Sequence, residues 1–535
     1  VSAPDLILTG GRVRTLDPQR PSATALAIAD GTIVAVGADD EVRALAGAGT
    51  QTIDLGGAAA VPGLIDSHTH ALPSKIASGG VDLTDARTLD DIRAGIAAER
   101  ARCEPGAWIF GWGLDYNAFS DTGIHGSLVE EAAGGQPALL RFMDFHTGLA
   151  TPRALELAGV DGPRHFEEHA EIVCVDGVPT GELREAAAML AVQQAAPEPT
   201  AQQRYATAVA NLRALAAAGL TATHLMDGTL DTHELLRELE ANGDLALRVV
   251  APFWIEPETP QEQWEAYAAH RDERGRRWRA GVAKFFIDGV IDSGTAWLYE
   301  PDSEGEGTAA FWPDPARYRQ AVAFFAQRGF QCVTHACGDR GVREALDAYR
   351  EATTPGAVHH RIEHIETLQP QDLPRFAAEG VIASMQAQHM MWLEPDRSDN
   401  WSRRLGDDRC DRAFLIRSLL ESGAMLTLGS DWPVARYDPR EGMAAARLRR
   451  PPGLHDRAPY DDQAIGALEA LEGYTTWAAR TVGHGDRQGR IAPGFWGDVT
   501  VLATDPVECD ADALPDNPVL LTVCDGEVTH RDPAL

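Results

Sequence analysis

No run of about 18 consecutive apolar residues occurs in this chain of 535 residues, so no membrane-spanning helix is expected. Basic residues are scarce beside acidic ones: 47 Lys and Arg stand against 80 Asp and Glu, a net charge of −33. Nucleic acid and anionic membrane surfaces both reward positive patches, so neither is an expected partner. The excess acid forms no run long enough to be a tail and reads as a solvated surface. The seven cysteines, Cys103, Cys174, Cys332, Cys337, Cys410, Cys509 and Cys524, are scattered and odd in number. They show no CxxC pairing, which argues against a disulfide framework and fits a reducing compartment. The first residues carry no basic segment followed by a long apolar one, so no signal peptide is read and a cytoplasmic location is expected. Internal repeats and low-complexity tracts are also missing.

What the chain does contain is an alternation of short apolar strands and helical stretches, the pattern of a parallel α/β fold. The candidate strands are Val61 to His70, Thr221 to Met226, Arg248 to Phe253, Ala283 to Asp288, Cys332 to His335, Arg361 to His364, Ile382 to Gln386 and Met425 to Ser430. Eight such units predict a TIM-type (β/α)8 barrel over residues 61–489, with functional groups at the C-terminal strand ends. A barrel needs about 250 residues. The excess is assigned to an insertion after the first strand, roughly 71–215, which has strand-like runs at Ala107 to Leu114 and Ala138 to Phe145. Ala191 to Gln203 reads as the connector back to the barrel. Short β segments with Asp30-Gly31 and Asp525-Gly526 turns at both ends predict one small β domain built from residues 1–60 and 490–535.

The first barrel strand runs through Val61-Pro62-Gly63-Leu64-Ile65-Asp66-Ser67-His68-Thr69-His70. In an extended strand, side chains at i and i+2 share a face, so His68 and His70 can converge on one ion without a turn. His-x-His alone is a weak signal. It gains weight from Lys284, His335, His364 and Asp431, each within or at the end of its own apolar run. Imidazole and carboxylate are the donors zinc takes in catalytic sites. Four histidines and an aspartate around a barrel mouth could hold one or two divalent ions, with Zn²⁺ favoured by donor type and Mn²⁺, Fe²⁺ or Co²⁺ open. A buried lysine loses its proton readily and, once neutral, can take up CO₂ as a bridging carbamate. The alternative for Lys284 is an ion pair with Asp288 or a neighbour, and spacing does not choose between them. Asp288, Asp339, Glu363 and Glu366 are either partners of ligands or ordinary loop acids.

In its order of motifs the chain resembles the amidohydrolase superfamily, specifically the amidohydrolase-3 branch with its YtcJ-like proteins and N-substituted formamide deformylases. The resemblance runs from the Pro62–His70 opening through Gly177-Val178-Pro179-Thr180-Gly181-Glu182-Leu183-Arg184-Glu185. It continues through Lys284-Phe285-Phe286-Ile287-Asp288-Gly289, His335-Ala336-Cys337-Gly338-Asp339, Arg361-Ile362-Glu363-His364 and Gly429-Ser430-Asp431-Trp432-Pro433. It implies a β-sandwich made from both termini, and a metal site of His68, His70, Lys284, His335, His364 and Asp431 with N6-carboxylation of Lys284. The chain departs from the branch after the seventh strand, where Gln386-Ala387-Gln388-His389 stands in place of Gln-Pro; this unsettles any role of Gln386 or His389.

The resemblance implies a metal-dependent hydrolase acting on a C–N bond of a small-molecule substrate, amide or N-formyl in type. Asp431 is then the general base and acid. His146, in the insert, is a candidate to bind the carbonyl, with a packing histidine as the alternative. Gln386 and Trp112 are further candidate substrate contacts, Trp112 as part of an aromatic wall laid by the insert over the barrel mouth. Two rivals are a mononuclear deaminase of a heterocycle and a non-catalytic protein on the same fold. Deaminases of this kind carry Glu three residues after the fifth-strand histidine, where this chain has Gly338. The full ligand set argues against the non-catalytic reading. Substrate identity and oligomeric state stay open, with a homodimer as one candidate.

Overall fold

The computed structural model describes residues 3–72, 80–166, 169–352, 358–455 and 461–535. At its centre is an eight-stranded parallel sheet. Its strands are β1 (Leu64–Thr69), β2 (Leu220–Leu225), β3 (Arg248–Trp254), β4 (Trp278–Phe286), β5 (Gln331–Ala336), β6 (Arg361–His364), β7 (Ile382–Met385) and β8 (Leu426–Leu428). They pair in sequence order, each with the next, from β1 to β8. The sheet curls until β8 meets β1 again. There the backbone N–H of Asp431 donates to the His68 carbonyl at 2.8 Å, and that of His70 donates to the Trp432 carbonyl at 2.7 Å. Closure is made at the functional end of the barrel, so His68, His70 and Asp431 are tied to one another by main chain before any side chain is considered.

These strands are buried on both faces, as a parallel barrel requires. Outward residues such as Phe253 and Phe285 pack with Tyr318, Phe325 and Leu212 from the surrounding helices in one large apolar core. The interior also carries polar groups. Ser67 and Thr427 share a hydrogen bond at 2.6 Å, as do Thr69 and Thr223. Arg361 spans this interior. Its guanidinium donates to Glu363 at 2.7 Å, to the Ser67 carbonyl at 2.7 Å, to Ser384 at 3.2 Å and to His224 Nδ1 at 3.2 Å.

Strands β1 and β8 approach closely because position 429 has no side chain. A Cβ on Gly429 would meet the His68 backbone nitrogen at 2.7 Å and its Cβ at 2.8 Å. Main chain cannot swing aside, so Gly429→Ala must push β8 away from β1. The expected result is a loss of about 1–3 kcal/mol in denaturant unfolding, together with weakened binding of any ion held by His68. Unchanged stability and unchanged ion affinity would show that the closure tolerates a methyl group.

Between β1 and β2 lies a separate six-stranded mixed sheet. Its strands are Val81–Asp82, Ile109–Leu114, Ala138–Phe142, Thr147–Ala150, Glu171–Val175 and Val178–Arg184. The connector expected over Ala191–Gln203 is shorter than that, because helices Glu185–Gln193 and Ala201–Ala217 claim both of its ends. Thr200 caps the second helix, its hydroxyl accepting from the Gln203 N–H while Gln203 reaches back to the Thr200 N–H. This capping box starts a helix that the surrounding Ala and Gln residues readily extend.

The chain ends meet in a second six-stranded sheet. Ala59–Pro62 pairs in parallel with Arg12–Arg14 and antiparallel with Val499–Leu502. A four-stranded sheet of N-terminal segments packs on it around Leu8, Val13, Ile28, Val499 and Leu521. No helix of the described residues is long and apolar enough to cross a membrane.

Candidate metal centre

The C-terminal ends of the barrel strands carry the titratable cluster, and carboxylates face several of its histidines. His68 Nδ1 donates to Glu363 at 2.6 Å, and Arg361 holds the other oxygen of that carboxylate. Burial alone would raise the Glu363 carboxyl, but Arg361 and His68 keep it ionised and well below the usual range. With Nδ1 committed, His68 Nε2 faces Asp431 Oδ1 at 3.1 Å. His70 lies between two carboxylates without a hydrogen bond at its Nδ1. Its Nδ1 lies 3.3 Å from Asp227, just beyond β2, and its Nε2 lies 3.2 Å from the same Asp431 oxygen. Burial works against a charge on His70, yet Asp227 and Asp431 raise it to about 9. A ring nitrogen oriented by a carboxylate is the arrangement that fixes tautomer and direction in metal-binding histidines.

Three donor atoms therefore converge. Donors about 2.0–2.2 Å from a tetrahedral zinc lie roughly 3.3–3.6 Å apart, close to the 3.1 and 3.2 Å separations found here. The chemistry of the set, two imidazoles and one carboxylate, fits a divalent ion. His364 and His389 approach the other oxygen of Asp431, at 3.8 and 3.5 Å.

Two of these positions have a left-handed backbone. His364 has φ 72° and Asp431 has φ 62°. Left-handed conformations cost a non-glycine residue about 1–3 kcal/mol when the surroundings impose them, and here the strain aims both side chains into the barrel mouth.

His335 and Lys284 sit beside this group with different partners. His335 Nε2 donates to the Gly289 carbonyl at 3.0 Å, and its ring centroid is 4.4 Å from that of His364. Lys284 is fully buried, and its Nζ has no hydrogen-bond partner. Burial lowers its pKa to about 8, which makes a neutral amine accessible. The Asp288 ion pair considered for it does not form, because Asp288 accepts instead from the N–H groups of Trp297, Cys337 and Gly338. Asp339 is likewise taken up locally, by the Tyr299 N–H.

Above the ions' expected place is a cleft with an empty volume of about 580 Å³. His146 lines it, together with Asp144, Asp292, His335, Glu366 and Asp431. His146 Nδ1 lies 2.8 Å from Glu185, the last residue of the Gly177–Glu185 motif. Burial opposes a charge on His146, but Glu185 outweighs it and raises the pKa to about 9. Glu366 accepts from the Trp401 indole at 2.8 Å, and burial pushes its carboxyl up to about 7.

Two expected contacts fall elsewhere. Trp112 is on the insert strand Ile109–Leu114, paired with Asp82, and is not among the described residues that line the cleft. The insert aromatics Tyr116, Phe119 and Phe142 form the insert's own core, and the aromatic wall comes from Trp392, Trp401 and Phe414 on the segments after β7. Gln386 is buried behind the site, its Nε2 3.4 Å from His68 Nδ1. The sequence motifs include Glu185 and Arg361 without a role, and Asp227 lies outside them; what each does depends on the neighbour it meets.

Comparison with known proteins bears on this geometry. The family model described as "Amidohydrolase family" matches residues 51–530. The chain belongs to the amidohydrolase family. This amidohydrolase is 28% identical to N-substituted formamide deformylase of Arthrobacter pascens over 98% of both chains. It is 25% identical to the putative amidohydrolase YtcJ of Bacillus subtilis, again over 98% of both. Its fold matches the crystal structure of an uncharacterized metal-dependent hydrolase from Pyrococcus horikoshii with a TM-score of 0.73 and 21% identity, covering 95% of this chain and 99% of that one.

Proposed function

We propose that this amidohydrolase is a metal-dependent hydrolase that cleaves a C–N bond of amide or N-formyl type in a small molecule. The observation that carries the reading is the convergence of His68 and His70 on one oxygen of Asp431 at 3.1 and 3.2 Å. Those three residues would hold a divalent ion, most suitably Zn²⁺, with Lys284 as a further ligand once its amine carries a carbamate. When bound, such an ion makes water acidic near neutral pH and polarises a carbonyl.

The chain's own groups account for the remaining steps. Asp431 accepts a proton from the attacking water as the new C–O bond forms, then passes it to the nitrogen as the C–N bond breaks. His146, pinned by Glu185, offers a ring N–H to the carbonyl oxygen as negative charge develops there. His146→Ala is expected to lower kcat/KM about 10²-fold while unfolding at an unchanged denaturant midpoint. A kcat/KM within threefold of wild type would return His146 to a packing role.

Two features narrow the chemistry. No Lys or Arg is among the described residues lining the cleft, whereas Asp144, Asp292 and Glu366 are. Burial raises the carboxyls of Asp144, Asp292 and Glu366, and an uncharged substrate suits such a wall better than an anionic one. The deaminase alternative requires an acid three residues after His335, but a Cβ on Gly338 would meet the Trp297 carbonyl oxygen at 2.2 Å. That backbone contact leaves no room for a glutamate.

Elemental analysis of protein purified without chelators tests the reading. At least one divalent ion per chain is expected, and its loss in His68→Ala. Protein that holds no ion even after incubation with Zn²⁺ and bicarbonate would contradict it.

A further inference from the structure

Among the described residues lining the cleft, His389 is the one whose side chain holds a buried nitrogen or oxygen without a hydrogen bond, its Nε2. The residue is 9% exposed and lies in a short 3-10 turn, Ala387–Trp392, which follows β7 directly. The turn is held in place: the His389 N–H donates to the Gln386 carbonyl at 3.1 Å, and the Gln388 amide donates to the Arg436 carbonyl at 2.9 Å. The ring is flanked by His364, nearly parallel at 16° with centroids 5.8 Å apart, and by Trp392, also at 5.8 Å. Nε2 lies 3.5 Å from Asp431 Oδ2 without making a hydrogen bond to it. A row of imidazoles crosses the barrel mouth, with centroids 4.9 Å apart from His146 to His335, 4.4 Å from His335 to His364 and 5.8 Å from His364 to His389. His146 and His389 stand at its two ends.

Burying a polar atom without a partner is costly, so a nitrogen kept this way in a cleft wall is a place for a ligand's hydrogen bond. A neutral imidazole has one nitrogen that accepts. An amide substituted once on nitrogen carries an acceptor, its carbonyl, and a single donor, its N–H. In the hydrolase reading the carbonyl goes to His146, which leaves the N–H for the other end of the row. We propose that His389 Nε2 accepts the N–H of the scissile amide, so that the site selects amides with one substituent on nitrogen over those with two. The inference rests on the hydrolase reading above. It places the nitrogen where that reading needs it. The atom that holds the N–H and the oxygen that protonates the nitrogen must both lie within about 2.6–3.2 Å of it, and two atoms 3.5 Å apart reach one nitrogen together. A second substituent removes the donor and leaves Nε2 buried and unpaired, the condition under which a site rejects an analogue most strongly.

The test compares N-alkylformamides and N-alkylacetamides, ethyl to octyl, with their N-methyl derivatives, as kcat/KM for zinc-loaded wild type, His389→Gln and His389→Leu. Each ratio is divided by the ratio of the two compounds' rates of uncatalysed hydrolysis. Wild type is expected to favour the N–H member by about 10²-fold or more. His389→Gln keeps an accepting oxygen and should keep a preference of about tenfold or more. His389→Leu has no acceptor, and its preference should fall to within about threefold through loss on the N–H member. Leucine fills similar space, so exclusion of the methyl group by size alone would persist in that variant. Unfolding midpoints and zinc content should match wild type in both variants. Three results would overturn the role of His389 while leaving the hydrolase reading intact: a wild type that treats the two members alike, a His389→Leu variant that keeps the wild-type preference, or a His389→Leu variant that loses its zinc. Wild type that releases amine from no member of either series would overturn both.

Discussion

Asp431→Asn is expected to lower kcat by about 10³-fold or more while leaving the fold in place. The proton transfer proposed for Asp431 would contribute about 10²–10⁴-fold by itself. The amide can neither accept that proton at neutral pH nor supply an anionic ligand. Burial raises the Asp431 carboxyl, but its histidine neighbours more than reverse this and hold it well below the usual carboxylate range, so it is ionised. Asparagine keeps the shape and also tolerates the left-handed backbone at φ 62° better than most residues do. Circular dichroism and the denaturant midpoint should therefore match wild type. A variant that turns over within tenfold of wild type would remove Asp431 from proton transfer and leave it as a ligand alone.

The second large effect is structural and sits one layer deeper. Arg361→Ala is expected to destabilise the chain by about 3–5 kcal/mol, because it leaves the buried Glu363 carboxylate without its cation. Arg361 is 1% exposed, and Glu363 is fully buried. The same guanidinium joins β6 to β1, β2 and β7 through Ser67, His224 and Ser384, so its loss opens the barrel interior on several sides. Glu363 also orients His68, and loss of such a carboxylate's support typically weakens metal affinity about 10–100-fold. Arg361→Met combined with Glu363→Gln removes both charges and should recover part of the stability, as expected when the penalty comes from an unpaired charge. A single Arg361→Ala variant destabilised by less than 1 kcal/mol would show that water reaches Glu363 in the barrel interior.

Much of the barrel was legible because each strand is an apolar run of the right length followed by a helical stretch, and neighbours in sequence are neighbours in the sheet. His68 and His70 were legible for a local reason: one intervening residue places both on the same strand face. Asp431 and His364 could be named from the ends of their strands. What the sequence did not show was how side chains meet across strands. Asp227 meets His70 only because β2 lies beside β1, and Glu185 meets His146 only because the insert strands Thr147–Ala150 and Val178–Arg184 pair antiparallel. Trp112 illustrates the limit of counting aromatics. A strand alternates its faces, and the insert has its own core to fill, so most of its rings serve that core. The cleft wall instead uses Trp392, Trp401 and Phe414, on the short helical turns and loops between β7 and β8, too short for a periodicity to show. His389 was visible only as a departure from a pattern. Its place beside Asp431 follows from a 3-10 turn that begins immediately after β7.

The central claim is that a divalent ion at His68, His70 and Asp431 hydrolyses a C–N bond. The most direct measurement is amine release from a panel of N-formyl and N-acyl amines by chelator-stripped protein, before and after reloading with one equivalent of Zn²⁺. The account predicts that at least one member of the panel yields free amine with the reloaded protein, that the stripped protein is inactive, and that His68→Ala stays inactive after reloading. Equal rates of release from stripped and reloaded protein, or full activity in His68→Ala, would contradict it.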